Sequence, residues 1–289
     1  MRIRAFPAIS AGLLAASLLA TPAIAADETA VDPCFNSKLS IKDVLEACQA
    51  FIDRGSEDKK LLIRAHSVRA MGLSATGKLD AALAEMSAAV AIDPKRANSY
   101  FMRAAGHDAN RDYDKALADL NTAIELNDAD ADYYLLRGVV HGHKRDYDNA
   151  LSDFNKKVEL DPKAINGYSA RGGLYRKRKD YEESIADYTK VIELDPQVSK
   201  GYVDRGWVYV LMDNLDKAGP DFDTALKIQK NNALALVGRG VVKSRQGNPT
   251  DGTADLRLAE RKGKEASAAT AESSPGGSSR SCHPTLAAS

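Results

Sequence analysis

The sequence predicts an all-α solenoid built from repeated helix pairs, and three observations carry that expectation. An arginine recurs at Arg69, Arg103, Arg137, Arg171, Arg205 and Arg239, each 34 residues after the last. A small residue follows each of them at once: Ala70, Ala104, Gly138, Gly172, Gly206 and Gly240. A second small column (Ala82, Ala116, Ala150, Ser184, Ala218, Gly252) and a bulky one four residues later (Met86, Leu120, Phe154, Tyr188, Phe222, Leu256) keep the same register. A fixed period of this length marks a stack of helix-turn-helix units, each burying its apolar face only against its neighbours.

Residues 1–25 read as a secretory signal peptide. Arg2 and Arg4 open it, an Ala/Leu-rich run follows from Ala8 to Ala20, and Ala23-Ile24-Ala25 forms a small-x-small end with cleavage expected before Ala26. A retained membrane anchor is the alternative, and Pro22 weighs against it. Residues 26–62 read as an N-terminal cap. Within it, 41–54 matches the second helix of a truncated unit, with Val44, Cys48 and Phe51 in the small, bulky and late slots. In an oxidising compartment Cys34 is expected to pair with Cys48 and pin the cap, free thiols being the alternative.

Six units follow, at 63–96, 97–130, 131–164, 165–198, 199–232 and 233–266. Tyr168, Gly172 and Tyr175 fall at i, i+4 and i+7 on a first helix, and Ser184, Tyr188 and Val191 repeat that spacing on a second. Between the helices stands an N-capping Asp or Asn: Asp112, Asp146, Asp180, Asn214, Asn248. Asp93-Pro94, Asp161-Pro162 and Asp195-Pro196 stop the second helices, because the residue before proline avoids helical geometry. Pro220 inside the second helix of the fifth unit predicts a bend. Lys157 replaces a small residue in a late column, where its stem can lie along the core while its head reaches water.

These columns, with the aromatic slots at Tyr100, Tyr134, Tyr168 and Tyr202, resemble the tetratricopeptide repeat family. The resemblance implies a right-handed superhelical solenoid whose concave face is lined mainly by the first helix of each unit. It implies a non-catalytic scaffold or adaptor that binds a partner helix or extended peptide in that groove. Phe101, Met102, Leu135, Leu136, Val203, Trp207, Val210 and Leu211 are the expected groove residues, with Arg176 and Lys177 as polar members. Trp207, the one tryptophan, is the expected hot spot. The lysine/asparagine/arginine clamp by which some members hold a C-terminal carboxylate is not matched. An acid recurs sixteen residues after each arginine (Glu85, Asp119, Asp153, Asp187, Asp221, Asp255), which predicts a ladder of ion pairs within or between units.

Residues 267–289 are rich in Ser, Ala, Gly and Pro and read as a disordered tail. Cys282 lies there, as a free thiol or an inter-chain partner. Forty basic residues balance forty acidic ones, and loss of Arg2 and Arg4 leaves a formal charge of −2. Such a balance argues against nucleic-acid binding, which needs a net basic surface. No catalytic motif, metal-ligand spacing or phosphate-binding glycine loop is present, so neither a cofactor nor a metal is expected. His66, His107 and His141 fall in aromatic slots and read as packing residues. The reading is an exported protein, periplasmic or secreted, that acts as an envelope scaffold. The alternatives are a structural subunit of an envelope assembly for secretion, pili, polymer export or outer-membrane biogenesis, and an enzyme with an unrecognised site.

Overall fold

A computed structural model describes residues 32–36 and 38–272. The signal-peptide segment 1–25, Cys282 and residues 273–289 lie outside the described residues. A 3-10 turn at Pro33–Phe35 precedes α1 (Ile41–Arg54). Six helix pairs follow: α2 (Lys59–Ala75) with α3 (Leu79–Ile92), α4 (Ala97–Ala109) with α5 (Tyr113–Leu126), and α6 (Ala131–His143) with α7 (Tyr147–Leu160). The remaining three are α8 (Ile165–Arg178) with α9 (Tyr181–Leu194), α10 (Ser199–Leu211) with α11 (Leu215–Ile228), and α12 (Ala233–Arg245) with α13 (Pro249–Glu272). Among the described residues there is no strand.

Each pair closes because its columns meet. Ala82, Ala116, Ala150 and Ala218 are buried, and the bulky residues Met86, Leu120, Phe154, Tyr188 and Phe222 sit beneath the facing helix. A Cβ on Gly138 would stand 2.6 Å from Phe154 Cε1, so the ring would have to shift to admit one. Neighbouring units adjust to one another through a second exchange of volume. Where the late column holds Ala89, Ala123 or Ala225, the third residue of the next unit is Ser99, Tyr133 or Ala235. Where it holds Lys157 or Val191, that residue is Gly167 or Gly201, whose Cβ would lie 3.0 Å from Lys157 Cγ or 2.9 Å from Val191 Cγ1. Lys157 is 3% exposed, and its Nζ emerges to bond Asp132 at 2.8 Å, the extension its stem predicts.

Turn chemistry is partly as expected. Asp93, Asp161 and Asp195 are the C-caps of α3, α7 and α9 and have left the helical region. Asp146 and Asn214 cap α7 and α11 through their side chains. Asp112 and Asp180 occupy the same N-cap position without a side-chain cap bond. Other donors claim them: Asn110 and Lys115 for Asp112, Arg178 for Asp180. One residue before each cap, the backbone turns to positive φ at Gly77, Arg111, Arg145, Lys179, Asp213 and Gly247. Helix α11 continues from Leu215 to Ile228 through Pro220, its sixth residue, which cannot donate the i→i−4 bond to the Asp216 carbonyl. Helix α13 continues to Glu272, past the end assigned to the sixth unit and into the segment expected to be tail.

Cys34 and Cys48 form a disulfide, with both sulfurs buried at the junction of the 3-10 turn, α1 and α2. Phe35 packs edge-on against Phe51, 5.3 Å between centroids, and Arg64 of α2 lies over the Phe35 ring at 4.4 Å. The cap therefore covers Ala65 and its apolar neighbours on the open side of the first pair.

Candidate protein-binding groove

Successive first helices touch one another: α2 with α4, α4 with α6, α6 with α8, α8 with α10, and α10 with α12. Among the described residues no two successive second helices do. The first helices therefore form a continuous inner wall, and the second helices are splayed on the outside.

What holds the wall in register is the arginine column. Arg103, Arg137, Arg171, Arg205 and Arg239 each grip the acid of their own second helix with two parallel bonds, Nε–H to one oxygen and Nη2–H to the other, at 2.6–2.9 Å. In the first unit Arg69 pairs with Glu85, and His66 Nδ1 lies 2.8 Å from the other oxygen. A further column, not anticipated from the sequence, completes the grip. Nη1–H of Arg137, Arg171, Arg205 and Arg239 donates backwards to Asn121, Asn155, Thr189 and Asp223 of the preceding unit. Each of these guanidinium groups thus ties two units together. The signal was available: those four residues are also 34 apart, each directly after a bulky-column residue.

The five aspartates are buried, between 4% and 7% exposed, and so are satisfied by geometry rather than by water. Hydrogen bonds to these carboxylates raise the pKa of Arg103, Arg137, Arg171 and Arg205 despite desolvation. At Asp255 burial pushes the carboxyl up, but Arg239 and Lys243 together outweigh it and hold the pKa below the ordinary value. Burial lowers the pKa of His107, whose Nδ1 has no hydrogen-bond partner among the described residues. The ladder arginines are therefore structural, and they do not present free charge to the groove.

The expected groove residues divide into three sets. Val203 and Val210 are 2% and 6% exposed and belong to the packing of α10 within the wall. They are corrected from groove surface to core, because both belong to the apolar cluster built with Phe222 and Leu226 of α11 and Leu236 and Val242 of α12. Phe101, Met102, Leu135, Leu136 and Trp207 are half-buried. Phe101 leans on Tyr133 of the next unit at 5.2 Å, and Trp207 stands edge-on to Phe222 at 5.6 Å, so part of each ring is spent on internal packing. Leu211 is 54% exposed at the end of α10. Arg176 is half-buried and Lys177 exposed at the end of α8, and neither makes an ion pair among the described residues.

Two further residues reach this stretch of wall. Tyr188 comes from the outer helix α9, and its hydroxyl ends beside Gly173 on α8, where an added Cβ would lie 3.6 Å away. Burial raises its pKa, Asp204 adds to the rise and Arg176 opposes it, which puts all three groups in one electrostatic neighbourhood. Asp204 is itself paired with Lys200. The hydroxyl was legible only as an oddity in a column of hydrocarbons. Among the described residues no group of three or more His, Cys, Asp or Glu could hold a metal, and no helix is long and apolar enough to cross a membrane.

Stacked helix pairs with an inner wall of first helices define a helical-repeat solenoid. Tetratricopeptide repeat signatures match residues 101–165, 165–198 and 199–232, and the chain belongs to the tetratricopeptide repeat family. Solved structures agree on the fold. A tetratricopeptide repeat protein from Parabacteroides merdae is 23% identical with a TM-score of 0.62, covering 77% of this chain and 87% of its own. PilF of Pseudomonas aeruginosa is 14% identical with a TM-score of 0.61, covering 74% of this chain and all of its own. MamA from Desulfovibrio magneticus is 16% identical with a TM-score of 0.53, covering 58% and 96%. No curated protein matches the chain.

Proposed function

We propose that the protein is a non-catalytic interaction scaffold of the cell envelope that holds a partner helix or extended peptide against its inner wall. One observation carries the reading. Arg176 and Lys177, which make no ion pair among the described residues, stand at the end of α8, and the exposed Leu211 takes the place equivalent to Lys177 at the end of α10, one turn after the half-exposed Trp207. An unpaired cation beside exposed apolar surface suits a partner segment that is apolar on one side and acidic on the other. The wall is preorganised by the arginine ladder, so little ordering is required on binding. Family membership supports a binding role over catalysis, since tetratricopeptide repeats act in general as protein-binding scaffolds.

Export and an envelope location rest on the basic start, apolar run and small-residue end of residues 1–25, and the Cys34–Cys48 disulfide is compatible with an oxidising compartment. The test is affinity capture from the producing cell with the wild-type chain and with Leu211→Glu and Arg176→Glu. A partner seated in the groove is lost with both variants while helical circular dichroism is unchanged. Equal recovery with all three chains overturns the groove. Recovery of a stoichiometric complex from envelope extracts marks a structural subunit of an assembly, and substoichiometric recovery marks an adaptor.

A further inference from the structure

The fourth residue of the second to fifth units is a tyrosine that fills the outer side of the junction with the unit before. Tyr100 Oη–H donates to the Pro94 carbonyl at 3.1 Å, and Tyr168 Oη–H to the Pro162 carbonyl at 3.2 Å. The guanidinium carbons of Arg103, Arg137 and Arg171 lie 5.6, 5.5 and 5.6 Å from the ring centroids of Tyr100, Tyr134 and Tyr168. At Tyr100 and Tyr168 the slot thus takes an aromatic ring between a closing turn and a ladder arginine.

At the last junction no aromatic ring fills the slot. Leu236 stands where the tyrosines stand, and at 1% exposure it ends inside the core. Lys230 replaces the closing proline of Pro94, Pro162 and Pro196. Helices α11 and α13 do not touch, and a cleft of about 520 Å³ opens between them above α12. Leu226, Leu236 and Leu258 make it apolar, and Arg239 forms one wall. The in-plane nitrogens of Arg239 are taken by Asp255 at 2.7 and 2.8 Å and by Asp223 at 3.1 Å, so a ligand meets this arginine by stacking on its face. Lys227 and Lys230 stand exposed on the rim, with no ion pair among the described residues. Volume and chemistry fall within the range of specific binding sites, roughly 300–1,000 Å³ with a few placed polar groups.

We propose that this cleft docks an aromatic side chain, tyrosine or phenylalanine, of a partner polypeptide that carries acidic residues beside it. The ring occupies the place the chain's own tyrosines fill at the upstream junctions, stacked on Arg239 and flanked by the leucines. The neighbouring carboxylates meet Lys227 and Lys230. The site lies on the outer side of the solenoid, so it stands or falls independently of the inner groove.

The experiment is titration of the full chain with two blocked, fluorescently labelled peptides, Glu-Asp-Tyr-Glu-Asp and its alanine counterpart Glu-Asp-Ala-Glu-Asp, read by anisotropy. Saturable binding of the tyrosine peptide, weakened by about tenfold or more in the alanine peptide, is expected. Leu236→Tyr supplies the missing ring from within and abolishes binding while preserving helical circular dichroism. The double variant Lys227→Glu/Lys230→Glu, which alters only exposed positions, weakens binding by about tenfold or more. Equal binding of both peptides reduces the site to charge alone and overturns the proposal. So does unchanged affinity in Leu236→Tyr, or no binding by the wild-type chain at millimolar peptide. Binding that appears only after residues 273–289 are removed assigns the cleft to the chain's own tail and also overturns it.

Discussion

Replacing Arg171 by methionine keeps the aliphatic stem and removes one rung of the ladder. In the wild type, Nε and Nη2 bond Asp187 at 2.9 and 2.7 Å, and Nη1 bonds Asn155 of the preceding unit at 2.9 Å. The Asp187 side chain is 7% exposed and that of Arg171 is 19%, so water cannot replace the lost partner. Removing one member of such a buried pair typically costs about 3–5 kcal/mol, because the remaining charge is left uncompensated. The carboxyl limits this cost by taking up a proton. Burial disfavours the charged form of a carboxylate left without its partner, so the variant is expected to lose less stability at about pH 5 than at pH 7. The assay is urea unfolding followed by circular dichroism at pH 7 and about pH 5, paired with hydrogen exchange on α8 and α9 because a repeat array need not unfold as one unit. The double variant Arg171→Met/Asp187→Leu is expected to recover most of the loss, since two apolar residues leave no buried charge behind. A single variant as stable as wild type, or a penalty identical at both pH values, refutes the reasoning that the ladder works by mutual neutralisation.

Other consequences follow from other parts of the fold. Cys34→Ser/Cys48→Ser opens a loop of sequence separation 14 and is expected to cost about 3 kcal/mol by chain entropy, with loss of exchange protection confined to α1 and α2; unchanged protection there contradicts the role of the cap. Arg145→Gly relieves a positive φ of 63° and is expected to raise the urea midpoint by the equivalent of about 0.5–1 kcal/mol; a decrease would show that the arginine side chain outweighs the backbone. His107 has its pKa lowered by burial, so its contribution is complete above the ordinary value of 6.5 and declines as pH falls below it. His107→Tyr, which matches Tyr175 and Tyr209 of later units, should flatten that part of the pH–stability profile, and an unaltered profile rejects the assignment.

The columns of arginine, small and bulky residues placed every helix pair, because each column answers to a contact inside one unit. The acid sixteen residues after each arginine was legible for the same reason. What escaped depends on contacts between units or on backbone geometry. Asn121, Asn155, Thr189 and Asp223 share a hydrogen-bonding role but not a chemical class, so their recurrence does not stand out as a motif. The positive-φ column holds glycine at Gly77 and Gly247 but arginine, lysine or aspartate between them, which hides it from a search for turn residues. Helix α13 runs to Glu272 through Ala-rich sequence with no columns to announce it. In the groove, the first-helix positions were placed on the inner wall, but Val203 and Val210 are covered by flanking helices whose spacing no single unit encodes. Trp207 divides its surface between wall and core, which makes Leu211 the cleaner probe of binding.

That the inner wall is the surface which meets the partner is tested most directly by site-specific photo-cross-linking in the producing cell. A photoreactive residue is placed at Met71 or Leu211, exposed on first helices, and for comparison at Glu125 or Glu159, exposed on the outer helices α5 and α7. The account predicts one discrete adduct of the same mass from the inner positions and none from the outer pair. Adducts from Glu125 or Glu159 with none from Met71 or Leu211 would contradict it.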